Sequence, residues 1–170
     1  MSVKTGSITN GDVLLNGTDI AGRLMEFEFG DFDYEEVEHK ALGMIGVLKN
    51  PSRVVTAIEE TLKFEWLDPE LKRQLMNPRD IHKLQIHQYV DVNGPDGLDV
   101  DASHTLVTHI GFRFMGVKKG TAKLGESEGL EVKASVQSFV EKVYGDETPI
   151  MEFDVNNNIN KVNGEDVWPT

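Results

Sequence analysis

Residues 150–166 are IMEFDVNNNINKVNGED, and they carry the strongest local structural signal in the chain. Met151, Phe153 and Val155 are apolar, and the residues between them are acidic. Such period-two alternation is typical of a half-buried β-strand. The Asn-rich run and Asn163-Gly164 that follow are turn-forming, since Asn and Gly tolerate a positive φ. The sequence therefore predicts a short strand followed by two tight turns.

The same stretch also carries a partial calcium-loop pattern. Asp154, Asn156, Asn158 and Glu165 occupy positions 1, 3, 5 and 12 of an EF-hand loop. Position 6 of that loop is normally Gly, because the chain turns sharply there, but here it is Ile159. The preceding segment alternates like a strand, whereas an EF-hand loop is flanked by helices. We therefore expect an ordinary turn whose Asn side chains bind local backbone groups.

Composition favours a single domain spanning residues 1–170. The chain has 170 residues, 39% of them hydrophobic, with no cysteine and a net charge of -12. That length and apolar content suit one domain with its own core. No apolar run is long enough to span a membrane, and residues 1–6 lack the pattern of a secretion segment. The acidic balance argues against wrapping nucleic acid, but it is compatible with a channel through which a polyanion slides.

Alternation through the rest of the chain predicts about six or seven strands. Two are long, at 23–38 and 53–66, the first with a bulge at Gly30-Asp31 that keeps its aromatic residues on one face. In the second, we expect one core face and one polar face. The core face would hold Leu62, Phe64 and Trp66, and the polar face Glu59, Thr61, Lys63 and Glu65. Shorter strands are expected around 84–92, 106–114 and 130–137, with a long loop at 41–50 and a hairpin-type turn at Asn16-Gly17.

One short helix is expected after the second long strand. Asp68 is suited to the N-cap and Pro69 to the first helical position. Leu71 and Leu75 then lie one turn apart, and Asn77-Pro78 ends the helix. So short a helix is not stable alone and must pack on a sheet. The expected fold class is mainly β, a β-sandwich or barrel with one short α-helix on one side.

Nothing in the sequence predicts catalysis. HExxH, P-loop, GxGxxG and nucleophile-elbow motifs are absent, and Ser127 and Ser138 have no evident base partner. His87 and His109 could meet across two strands, which leaves a metal pair as the alternative to ordinary sheet residues. We expect no enzyme activity, no cofactor and no metal site.

Three segments resemble the major tail tube protein of contractile-tailed bacteriophages and R-type pyocins. They are LLNGTDIAG at 14–22, KALGMIGV at 40–47 and the stretch at 150–166. The second is similar to the family's Y/H-x-x-G-G-M-x-x-P/V loop, although Leu42 stands where the family often has Gly and no proline follows directly. The third is similar to a family ending with a strand, a D-x-x-N turn and an x-x-N/I-N-G-x-D tail. Residues 85–125 are the least similar part.

The resemblance implies a structural role. Hexameric rings would stack into a hollow tube, and strands of each copy would join a closed β-barrel around the lumen. The implied partners are the tail sheath protein and the tail terminator and baseplate proteins. DNA would pass transiently through the lumen in a phage, and ions or effectors in a pyocin-like particle. The implied location is the virion tail, assembled in the cytoplasm of the host bacterium, with no membrane insertion by this chain.

Two surfaces are expected to matter in such a tube. A negatively charged lumen would be lined by Glu26, Glu28, Asp31, Asp33, Glu59, Thr61, Lys63 and Glu65, with Lys63 pairing with neighbouring carboxylates. The rival placement puts these carboxylates on the outer wall, facing the sheath. Contacts between rings would be made by Leu42, Gly43, Met44, Ile45, Gly46, Val47 and Leu48, since an apolar loop of this size is rarely left exposed. The alternative is that this loop folds back onto its own domain.

Two other functions remain open on the sequence. A ligand- or carbohydrate-binding β-sandwich module would carry exposed aromatic residues in a groove, but most aromatic residues here lie at core positions of the alternation. A hydrolase on a β scaffold would need a nucleophile with a base. Electron microscopy separates these classes, because only the tube subunit forms rings or tubes.

Overall fold

The computed structural model describes residues 2–170, which fold mainly as β-strands with one short helix. The elements in chain order are β1 (Thr5–Leu15), β2 (Thr18–Asp19), β3 (Leu24–Phe29), β4 (Tyr34–His39), β5 (Leu48–Val55), β6 (Ile58–Phe64), α1 (Pro69–Leu75), β7 (His82–Gly94), β8 (Gly97–Leu98), β9 (His104–Lys118), β10 (Leu130–Val143), β11 (Met151–Asp154), β12 (Ile159–Val162) and β13 (Glu165–Asp166). No helix formed by these residues has the length and apolar character needed to cross a membrane.

Eleven strands form one antiparallel sheet, in which eight follow the order β13-β12-β11-β10-β9-β7-β1-β2 and three, β3, β6 and β8, pair beside this path. The long strand β10 organises it. The first half of β10 pairs with β6, which also pairs with β3, and the second half pairs with β11. Strand β9 runs along the whole opposite edge of β10. The sheet is open in the single copy, so the predicted closed barrel is not formed by one chain. Strands β4 and β5 form a separate two-stranded sheet, here called the ribbon.

The core lies between the sheet and α1. Leu71 and Leu75 of the helix are buried, as are Phe64 and Phe112 on the sheet. Burying such side chains is the main favourable contribution to folding. The predicted helix start is confirmed, with Asp68 at the N-cap and Pro69 in the first turn. The Asp68 carboxylate does not cap the helix, because it forms an ion pair with Arg23 at 3.1 Å.

The two predicted hairpin-type turns are confirmed. Asn16 and Gly17 have φ of 51° and 81°, and Asn163 and Gly164 have φ of 53° and 77°. Two successive positive φ angles are what a type I′ turn requires, and this explains the Asn-Gly dipeptides. The first turn joins β1 to β2, and the second joins β12 to β13.

The predicted single strand at 23–38 is wrong, because the chain leaves the main sheet after Phe29. Gly30 lies so close to β6 that a Cβ there would stand 1.9 Å from the Glu59 carbonyl oxygen. Phe32 then turns inward, with its ring 5.5 Å from Phe139 and 5.2 Å from Phe153. The chain next enters the ribbon at Tyr34. Phe27, Phe29 and Phe32 do pack against the core, as expected. The change in alternation comes from the break between β3 and β4 rather than from a bulge within one strand.

The predicted strand at 53–66 is likewise two strands, β5 and β6. They separate at Thr56, whose backbone N donates to the Asp33 carbonyl at 2.8 Å. The ribbon strand β5 begins at Leu48, so the expected loop at 41–50 is shorter. Trp66 lies beyond the end of β6 and is 44% exposed, so its predicted core position is wrong. The predicted alternation between core and polar faces holds as far as Phe64, where β6 ends. Beyond that residue the chain leaves the sheet, and alternation no longer decides which side chains are buried.

Candidate functional site

A four-stranded part of the sheet carries most of the predicted lumen residues. It consists of β3, β6, residues 130–136 of β10 and residues 113–118 of β9, paired in that order. We call this unit the wall. Its inner face covers the core with side chains such as Leu62 and Val132. Its outer face points away from the core, because successive side chains on a strand alternate between faces.

Acidic and basic residues alternate across the outer face. One row crosses all four strands, with Glu26 opposite Lys63, Lys63 opposite Glu131, and Glu131 opposite Lys118. Lys63 Nζ donates to Glu26 Oε2 at 3.1 Å, which confirms the expected pairing of Lys63. This hydrogen bond and the negative charges of Glu26, Glu131 and Glu28 raise the pKa of Lys63. Opposite charges directly across a strand pair stabilise a sheet modestly.

The sequence prediction captured half of this face. Glu26, Glu28, Glu59, Thr61 and Lys63 share it, as predicted. Glu65 lies just past β6, although its backbone is still hydrogen-bonded to Arg23 and Gly129. Asp31 and Asp33 lie in the break between the two sheets and are not on the wall. The structure adds four further charged residues: Arg113, Lys118, Glu131 and Lys133.

These four residues change the charge of the face. The strands of the wall carry four acids, Glu26, Glu28, Glu59 and Glu131, and four bases, Lys63, Arg113, Lys118 and Lys133. The face is therefore nearly balanced rather than uniformly acidic, because the two acids of β3 are offset by the two bases of β9. The alternation at 130–137 already placed Glu131 and Lys133 on one face, but only pairing between distant strands shows that this is also the face of Glu26.

Both lateral edges of the wall are unpaired within residues 2–170. Strand β3 pairs only with β6. Strand β7 covers the outer edge of β9 as far as Phe112, which leaves residues 113–118 without a partner on that side. Each edge exposes one methionine, Met25 at 69% and Met115 at 68%. Unpaired strand edges present free N–H and C=O groups and readily add another strand.

The ribbon ends in an exposed apolar loop, residues 40–47. Leu42 and Ile45 are fully exposed, with relative exposures of 105% and 109%. Val47 and Leu48 are about half exposed, and Met44 is partly buried. The alternative in which this loop folds back onto its own domain is therefore wrong. Exposed apolar patches of this kind usually mark a protein–protein contact.

The C-terminal stretch anchors the base of the ribbon. Asn160 Nδ2 donates to the Tyr34 hydroxyl at 3.0 Å, and the Tyr34 ring packs edge-on against Trp168 at 5.7 Å. Arg53 lies over Trp168, 6.0 Å from its ring centroid, and Nη1 donates to the Pro169 carbonyl at 3.0 Å. These contacts fix both ribbon strands to the body, so the loop is presented from a supported base.

The calcium-like pattern is an ordinary turn, as expected. Asp154 Oδ1 accepts hydrogen bonds from the backbone N of Asn156 at 2.9 Å and of Asn157 at 3.1 Å. The backbone groups are thus bound by the Asp154 carboxylate rather than by Asn side chains. Residues 2–170 contain no cluster of three or more His, Cys, Asp or Glu that could hold a metal ion.

The two histidines considered as a metal pair are diagonal neighbours on β7 and β9. His87 lies opposite Val107, and His109 lies opposite Gln85. Burial, together with the charges of Lys142 and His87, lowers the pKa of His109. His87 Nε2 is 2.6 Å from Gln85 Nε2. The arrangement is that of ordinary sheet residues with local polar contacts.

One titratable residue escaped the sequence reasoning. Glu60 is only 2% exposed, and neither carboxylate oxygen has a hydrogen-bond partner. It shares the inner face of β6 with Ile58 and Leu62, opposite Phe29 of β3 and Ala134 of β10. Burial among these apolar residues raises the pKa of Glu60 to about 8. The parity of β6 already put Glu60 on the apolar face, and that was the available signal.

The comparisons with known proteins agree with this geometry. The family model described as "Phage tail tube protein FII" matches residues 6–169. The fold is similar to a chain of the sheath-tube complex of the PVC extracellular contractile injection system in its extended state. That chain is 12% identical, with 81% of this chain and 90% of the other covered and a TM-score of 0.55.

A chain from the sheath/tube terminator of the same system, also in the extended state, is similar as well. It is 10% identical, with coverages of 80% and 95% and a TM-score of 0.53. Comparison with curated proteins gave no match. The chain belongs to the phage tail tube protein FII family, and it is a structural protein of a tail tube rather than an enzyme.

Proposed function

We propose that this protein forms hexameric rings that stack into the tube of a contractile tail, with the outer face of the wall lining the lumen. The observation that carries the proposal is the pair of unpaired edges on the wall. They are matched in length, since β3 spans Leu24–Phe29 and the free part of β9 spans residues 113–118. Adding β3 of one copy to β9 of the next would pair both edges at once.

The strand directions allow this closure. The four strands of the wall are antiparallel in sequence, so β3 and β9 run in opposite directions. Copies related by rotation around one axis would therefore bring β3 against β9 as an antiparallel pair. A ring closed in this way has no free edge, which removes the risk of uncontrolled strand addition.

The charge of the wall suits a conduit. Three of the four bases on the outer face, Lys63, Lys118 and Lys133, have an acid as a cross-strand or diagonal neighbour, which weakens the attraction for a passing polyanion. Salt at physiological concentration screens the remaining charge over about 8 Å. In a phage the passing molecule would be DNA, and in a pyocin-like particle ions or effectors. The partners in this role are the sheath, terminator and baseplate proteins, and the two similar structures contain sheath and terminator.

The purified protein is expected to form rings and tubes. Light scattering after size-exclusion chromatography should give the mass of six copies or of larger stacks, and negative-stain microscopy should show rings with an open centre. A protein that stays monomeric at high concentration, with neither rings nor tubes on the grid, would refute the proposed function.

A reconstruction of the assembled tube is expected to place the wall's charged face inside. Glu26, Glu28, Glu59 and Lys63 should line the lumen, because their face is the one opposite the core. The apolar loop at 40–47 should lie between successive rings. Density that puts these four side chains on the outer surface would contradict this placement.

A further inference from the structure

The two free edges of the wall carry opposite charge. On the outer face, β3 contributes only acids, Glu26 and Glu28, and residues 113–118 of β9 contribute only bases, Arg113 and Lys118. Mixed charges occur only on the two central strands, where Lys63 and Lys133 accompany Glu59 and Glu131. The charge thus changes from negative at one edge to positive at the other.

We propose that this opposite charge selects the lateral partner: the acidic β3 edge of one copy is recognised by the basic β9 edge of a second copy of this chain. This inference rests on the proposed ring, and it adds the reason why the β3 edge of one copy pairs with the β9 edge of the next. Two β3 edges would bring four carboxylates together, and two β9 edges would bring four cations together. Like charges facing each other across a strand pair are destabilising, so only the head-to-tail arrangement is favoured.

The rows of charge support the same arrangement. The row Glu26, Lys63, Glu131, Lys118 alternates in sign from one edge to the other. Pairing of unlike edges continues this alternation from copy to copy, because a terminal Lys118 is followed by an acid. The Arg113 guanidinium is held in place by its own chain, because Nε donates to the Pro78 carbonyl at 3.2 Å and Nη2 to the Arg79 carbonyl at 3.3 Å.

The test reverses each edge separately. One variant carries Glu26→Lys and Glu28→Lys, so that both of its edges are basic. The other carries Arg113→Glu and Lys118→Glu, so that both of its edges are acidic. Each variant alone is expected to need at least ten times the wild-type concentration to assemble. A one-to-one mixture is expected to assemble at near wild-type concentration, because basic and acidic copies then alternate around a ring with an even number of members.

The mixture also shows that both variants are folded, and thermal melting of each supports this. Should the second variant melt early because Arg113 holds residues 78 and 79, Lys118→Glu alone is used in its place. The matched control is Asp96→Lys with Asp101→Lys, which makes the same change in net charge at two exposed residues outside the wall and should assemble within about twofold of wild type.

Three results would overturn the inference. Reversed variants that assemble like the wild type would show that the edge charges do not matter. A mixture that assembles no better than its components, although both are folded, would show that the edges do not meet. Wild-type protein that forms no rings would refute the proposed ring and the inference together, whereas in the first two cases the ring stands.

Discussion

We expect Glu60→Gln to remove a large pH-dependent loss of stability. A glutamate carboxyl ordinarily has a pKa of 4.5, and burial raises that of Glu60 to about 8 in the folded chain. Between these two values the unfolded chain has lost the proton while the folded chain retains it. The free energy of unfolding therefore falls as pH rises through this window, by about 1.4 kcal/mol per pH unit. The stability is fully present below pH 4.5 and lost as pH approaches 8.

The whole effect is about 5 kcal/mol, which is large beside the 5–15 kcal/mol by which domains are usually stable. The measurement is urea unfolding of wild type and variant at several pH values, at concentrations where light scattering shows monomer. The unfolding free energy of Glu60→Gln minus that of wild type should increase by about 5 kcal/mol from pH 4.5 to pH 8. Glu59→Gln, on the exposed face of the same strand, controls for the loss of one negative charge. Parallel curves for wild type and Glu60→Gln would contradict the buried-carboxyl account.

Charge in the apolar loop is expected to stop tube growth while leaving rings intact. Leu42→Asp with Ile45→Asp changes two fully exposed side chains, so the fold of the single copy should be unaffected. Each apolar side chain buried between rings contributes about 2 kcal/mol, and the contact is repeated by every copy in the ring. Replacing it with a carboxylate also adds the cost of burying a charge. We expect single rings or very short stacks by microscopy.

The control for this experiment is Val100→Asp, which adds charge at another exposed apolar residue outside the ribbon. It should form tubes of normal length. If the loop variant forms tubes as long as those of the wild type, the loop does not carry the contact between rings.

Local sequence signals predicted the local structure well. The Asn-Gly dipeptides placed two turns, because their backbone conformation excludes most other residues. Asp68-Pro69 placed the helix, and alternation placed the outward face of β6. Each of these depends on residues a few positions apart, and such signals are contained in the sequence itself.

Features that depend on distant residues were not accessible in this way. The break after Phe29 arises because Gly30 approaches the Glu59 backbone and Phe32 packs on Phe139, and neither contact is visible from residues 23–38 alone. The basic half of the outer face was missed for the same reason, since Arg113 joins Glu26 only through the pairing of four strands. The role as a tube subunit was inferred from the family resemblance. The free edges of β3 and β9, which would join neighbouring copies, became visible only from the strand pairing.

In the proposed ring, the position of the ribbon would make the two ends chemically different. The ribbon leaves the wall where β3 ends and returns where β6 begins, so it lies at one end of the strands. Rotation about a single axis keeps every copy upright, and all ribbons of a ring then point the same way. A stack of such rings would therefore be polar, with a different surface at each end. One end of the stack would expose the apolar loops, and the other end would expose the surface to which those loops bind. Elongation and capping at the two termini are then different binding reactions, so one protein cannot serve both by the same contacts.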